Sequence, residues 1–141
     1  MKPERLEPSE KCFGCGPKNP IGLALKVERD GEACVARFLP NQNHEGWRGM
    51  VHGGVLATLL DEIMGWALWY QEVRALTGSL SVRFCQPAPL GEEILLRGWL
   101  DQRRGRRVET RGEARSSTGA MIAEAKALCV VPPDQRRSAE Q

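Results

Sequence analysis

The segment MVHGGVLATLLDE, residues 50–62, opens with a histidine and two glycines and then turns apolar, with Asp61 and Glu62 side by side inside the apolar run. The apolar pattern persists to about Gln71 without a proline. That is too long for one strand, so residues 53–71 read as a single long helix. At about 100° per residue, Gly54, Thr58, Asp61 and Gly65 fall on one stripe. Val55, Leu59, Ile63 and Trp66 share a second, and Leu56, Leu60, Met64 and Leu68 a third. A helix apolar almost all round is expected to be wrapped by other structure, with the small, polar stripe giving Asp61 a groove.

Outward from this helix the chain alternates with a period of two. LALKVER (23–29) and EACVARFL (32–39) flank Asp30-Gly31, a strong hairpin signal. Residues 40–52 form an irregular connection. Four more strands are predicted at 76–84, 92–100, 106–117 and 121–131, joined by turns at QPAPLG, DQRRG and TG. One helix and six strands define an α+β domain, a curved antiparallel sheet around the helix. The expected organisation is an N-terminal arm with a Cys-x-x-Cys loop (1–19), the folded domain (20–131) and a disordered tail (132–141).

A chain of 141 residues with 41% hydrophobic and 27% charged residues suits one globular domain. No apolar run reaches the roughly 18 residues of a membrane span, and the N-terminus lacks the apolar core of a secretion signal. A cytoplasmic protein without a membrane partner is expected. Twenty Lys+Arg against eighteen Asp+Glu leave a net charge of +2. The one dense basic patch, Arg103 to Arg107, has no interleaved aromatics, so nucleic acid is not an expected partner. Five cysteines, an odd number, argue against a disulfide framework.

A carboxylate at position 61 requires hydrogen-bond donors or water, because desolvating it alone costs several kcal/mol. It is a candidate general base; the plainer reading is a solvent-edge residue. Gly53 and Gly54 would let a ligand approach the unpaired first-turn amides, which stabilise charge developing on a carbonyl oxygen. Alternatively, they merely permit a tight entry turn. His52 is read as a cap, an orienting group or a loop anchor in preference to a base.

HGGVLATLLDE, together with RFCQPAPLGE at 83–92, resembles the hot dog fold thioesterases of the phenylacetic-acid-pathway type, over roughly residues 20–131. The resemblance implies hydrolysis of a small or medium acyl-CoA without a cofactor, in a homodimer or dimer of dimers with active sites at subunit interfaces. It implies that the Gly53 amide polarises the thioester carbonyl and that Asp61 of the opposite subunit acts as nucleophile or general base. The family's auxiliary hydroxyl maps onto Thr77, with Ser79 the second choice on the same strand face. Where relatives carry an asparagine six residues before the histidine, this chain has Gly46; Asn43 or His44 are the nearest substitutes. A non-catalytic acyl-CoA binding protein and a hot dog dehydratase are the alternatives.

CFGCG, residues 12–16, resembles half of a zinc knuckle whose other half is missing. A packed or substrate-lining loop is expected and no metal is assigned, with zinc and a redox pair left as alternatives. RRGRR (103–107) is either a solvated hairpin tip or a contact for CoA phosphates through Arg104 and Arg106. Of four tryptophans, Trp47 is expected to line the site, and Trp66 and Trp69 to pack beneath the sheet or at a dimer contact.

Overall fold

The computed structural model describes residues 6–133. The first five residues of the predicted arm, and the predicted tail beyond residue 133, lie outside them. One helix, α1 (Gly53–Tyr70), lies on a six-stranded antiparallel sheet of β1 (Val27–Asp30), β2 (Ala33–Phe38), β3 (Leu76–Phe84), β4 (Ile94–Arg104), β5 (Arg107–Ser116) and β6 (Met121–Val130). The strand order is β1-β2-β4-β5-β6-β3, so the strand that follows the helix crosses to the far edge. Among the described residues no helix is long and apolar enough to cross a membrane.

The helix settles onto the sheet at a pair of glycines. Gly98 of β4 and Gly112 of β5 stand opposite each other. A Cβ on Gly98 would sit 2.6 Å from the Ile63 carbonyl oxygen, and one on Gly112 would sit 3.1 Å from Met64 Cγ. Two adjacent missing side chains thus form the saddle that lets a backbone lie directly on the sheet. Leu56, Leu59, Leu60, Ile63, Met64, Ala67 and Leu68 bury the underside of the helix. The expected all-round wrapping is not complete within one chain: Gly54 and Gly65 are exposed and Thr58 and Asp61 half-buried, so the small stripe is open.

Three local features depart from the sequence pattern. Residues 23–26 do not join β1, because Leu23 and Leu25 donate their amides to Phe13 and Gly14 of the cysteine loop, with Ala24 between them at φ 51°. The DQRRG turn is shorter than expected. β4 continues to Arg104, which pairs directly with Arg107, and Gly105 at φ 60° opens a two-residue hairpin. In β3 a bulge at Gly78 sets Thr77 opposite Cys129 but Ser79 opposite Leu128. The extra residue reverses the alternation, so Thr77 and Ser79 point to opposite faces rather than sharing one.

Candidate active site

The helix start is built from the loop before it. Val51 donates its amide to Ala88, and Leu90 donates to Gly49, so the proline turn at 87–90 seats this loop. His52 is the N-cap, and its Nδ1 accepts the Gly54 N–H at 2.8 Å. A Cβ at Gly54 would stand 3.0 Å from that nitrogen, so the glycine makes room for the imidazole. The Gly54 amide is therefore taken, and Val55 and Leu56 donate to the His52 carbonyl. Among the described residues no acceptor pairs with the Gly53 N–H, which lies at the positive end of the helix dipole. Gly46 has no space for a side chain, since its Cβ would lie 2.9 Å from His52 Cα.

Two turns further on, Asp61 Oδ1 accepts the Thr77 hydroxyl at 2.8 Å. The Thr58 hydroxyl does not join this pair, because it donates to the Gly54 carbonyl one turn back at 2.8 Å. Behind Thr77 lies Cys129, whose Sγ is 4.0 Å from Thr77 Oγ1 and whose thiol burial pushes above its ordinary pKa. Behind Cys129 lies Thr110, whose buried Oγ1 has, among the described residues, no partner stronger than that thiol. A carboxylate is thus held on the open face of the helix by a hydroxyl backed by a buried, weakly polar pair.

A cleft of about 470 Å³ runs from Asp61 and Thr77 past Trp66 and Trp69 to Cys12, Cys15 and Glu62. Cys12 Sγ donates to Glu62 Oε1 at 3.4 Å. Burial, then the neighbouring Glu62 carboxylate, pushes the Cys15 thiol up to about 12, against a smaller opposing effect of a Trp66 hydrogen bond. At the mouth of the cleft the Arg74 guanidinium stacks 3.4 Å above the Trp69 ring. Glu62 and Arg74 had no assigned role in the sequence reading. A carboxylate one position, or about 100°, round the helix from Asp61 was the available signal for the first.

The remaining candidates are spread out. Trp47 is 85% exposed in the loop before the helix, and Asn43 is exposed on a short 3-10 turn beside the groove of Phe13, Phe38 and Val55. The His44 ring packs against Phe38 with centroids 4.9 Å apart and planes tilted by 58°, and its Nδ1 caps that turn by accepting the Asn41 amide N–H. Ser79 is exposed on the outer face. Arg106 is tied by its Nε to the Val131 carbonyl at 2.7 Å, whereas Arg104 is exposed at the hairpin tip. Through Arg107, Val130 and Leu76, which are register partners, that tip lies at the same end of the sheet as Thr77.

The family model of the thioesterase superfamily matches residues 48–123, which span the helix start, Asp61 and Thr77. The acyl-coenzyme A thioesterase THEM4 of Xenopus laevis is 33% identical over 97 residues, 68% of this chain and 44% of that protein. The crystal structure of a thioesterase superfamily protein superposes with a TM-score of 0.83 at 30% identity, over 86% of this chain and 60% of that one. A hypothetical thioesterase from Streptococcus pneumoniae, solved with coenzyme A, shares the fold with a TM-score of 0.73 at 17% identity, over 77% of this chain and 85% of that one. The chain belongs to the thioesterase superfamily, and its fold is the hot dog fold. It spans less than half the length of the curated relative.

Proposed function

We propose that the chain is an acyl-CoA thioesterase whose active site is completed by a second copy of itself, with Asp61 of one subunit working against the Gly53 amide of the other. The observation that carries this reading is a separation. Asp61 and the unpaired Gly53 N–H occupy one helix eight residues apart, about 12 Å along the axis. One thioester cannot meet both from the same chain, whereas two helices related by a two-fold axis perpendicular to them run antiparallel, an arrangement that can bring the start of each beside the middle of the other. The exposed β3 edge supports such pairing, since it offers unpaired backbone groups along with Leu76, Leu80 and Phe84, at 55%, 38% and 55% exposure.

In this arrangement the Gly53 N–H donates a hydrogen bond to the carbonyl oxygen and stabilises the charge building on it, reinforced by the helix dipole. Asp61, oriented by Thr77, takes a proton from water as the water oxygen bonds to the carbonyl carbon; collapse of the tetrahedral adduct breaks the C–S bond and releases CoA thiolate and the acid. His52 shapes the amide site as its cap. The cleft floored by Trp66 and Trp69 suits a small or medium acyl group, and Arg104 is placed to meet CoA phosphates. Five unpaired cysteines suit a reducing compartment, in keeping with a cytoplasmic enzyme.

The test is thiol release from short, medium, long and aromatic acyl-CoAs by the wild-type protein and by Asp61→Asn. Hydrolysis of short or medium substrates, falling about 10²- to 10⁴-fold in kcat for the variant, is expected if Asp61 is a general base. Tight CoA binding without turnover by the wild type would make the protein a binding module and end the hydrolase reading.

A further inference from the structure

Cys12, Cys15 and Glu62 converge in a way that packing alone does not require. Their ligand-type atoms, two Sγ and a carboxylate oxygen, all lie within 4.8 Å of one another. The loop is built to achieve this. A Cβ on Gly14 would fall 2.2 Å from Glu62 Cγ, so that glycine lets the loop lie against the helix, and one on Gly16 would fall 2.3 Å from the Cys12 nitrogen, so that glycine lets the loop close on itself. The turn is locked by Gly16 N–H donating to the Cys12 carbonyl at 2.8 Å, and the loop is fastened to the chain beyond it by the Leu23 and Leu25 amides. Two cysteines three positions apart on a rigid turn face a glutamate 47 to 50 positions away on the central helix.

We propose that Cys12, Cys15 and Glu62 form a binding site for one zinc-class divalent ion, which fastens the N-terminal loop to helix α1 beside the acyl cleft. The dimensions fit: a tetrahedral ion with bonds of about 2.3 Å to sulfur and about 2.0 Å to oxygen holds those atoms about 3.5 Å apart. Cys12 Sγ and Glu62 Oε1 are 3.4 Å apart. Two thiolates and one carboxylate select zinc over magnesium or calcium, which prefer all-oxygen shells. Three protein ligands leave a fourth position, and because all three line the cleft, that position faces it and takes water. The missing half of the knuckle inferred from the sequence is thus supplied by a helix carboxylate rather than by a second cysteine pair. The site is independent of the thioesterase reading, since the ion anchors residues 6–22 whether or not the cleft hydrolyses anything.

The experiment uses the full chain, purified without chelator in the presence of a phosphine reductant. Metal content after dialysis is measured by mass spectrometry, and the metal-free chain is titrated with cobalt(II). About one zinc per chain is expected, along with an intense sulfur-to-cobalt charge-transfer band and the visible bands of a four-coordinate ion. Cys12→Ser/Cys15→Ser should lose both signals, and Glu62→Gln should bind at least tenfold more weakly. A wild-type protein that retains no zinc and gives no thiolate-cobalt band would overturn the proposal without recourse to any variant. So would a double cysteine variant that binds zinc as well as the wild type.

Discussion

Gly53 and Gly54 show how neighbouring residues of one type serve different ends. Gly54 makes room for the His52 ring, which takes its amide; Gly53 keeps its own amide free. Proline is favoured at the first position of a helix, where its missing N–H breaks no intrahelical bond. His52, at ψ 135°, already has the extended conformation that a following proline needs. Gly53→Pro therefore deletes the donor while keeping the helix. The expected result is a fall of about 10² to 10³ in kcat, measured by thiol release, with the unfolding temperature preserved. Thr110 invites the opposite kind of substitution. Among the described residues its buried hydroxyl has no partner stronger than the weakly polar Cys129 thiol, so the isosteric Thr110→Val should raise stability by about 1 kcal/mol in urea unfolding. The cap at His52, the glycines at the helix start and the place of Asp61 on the small stripe were legible because they follow from helix chemistry and periodicity. The close packing of Gly46 on His52 and the convergence of Glu62 on the cysteine loop were not, because both are contacts between segments distant in the chain or folded back on it.

The helix is located by what the sheet lacks. Gly98 and Gly112 are separated by a hairpin in sequence yet sit side by side beneath Ile63 and Met64. Gly98→Ala would push a methyl group against helix backbone, which cannot swing aside as a side chain would. A loss of about 2 kcal/mol or more is expected, read as a lower urea midpoint. The six strands and one helix were legible from alternation, apolar run length and turn residues. Strand ends were less so, because the DQRRG stretch has the composition of a turn although only Gly105 and Arg106 make one. The bulge at Gly78 was hidden for a sharper reason: one inserted residue reverses the face of everything beyond it, and a lone glycine in a strand marks the possibility without giving the register.

The whole molecule is unevenly covered. The helix is buried against the middle of the sheet, while β3 carries Leu76, Leu80 and Phe84 at an open edge, beside the stripe that bears Asp61. A second copy that paired along this edge would bury those side chains and bring the two halves of the site together. The sequence could not supply that surface, since the exposure of nearly every residue of β3, on both faces, depends on its place at the edge. The most direct test is a heterodimer isolated with two different affinity tags, one subunit carrying Gly53→Pro and the other Asp61→Asn. One of its two sites would then combine an intact Asp61 with an intact Gly53 across the interface, and about half of the wild-type rate is expected. A heterodimer no more active than either variant homodimer would contradict the shared site.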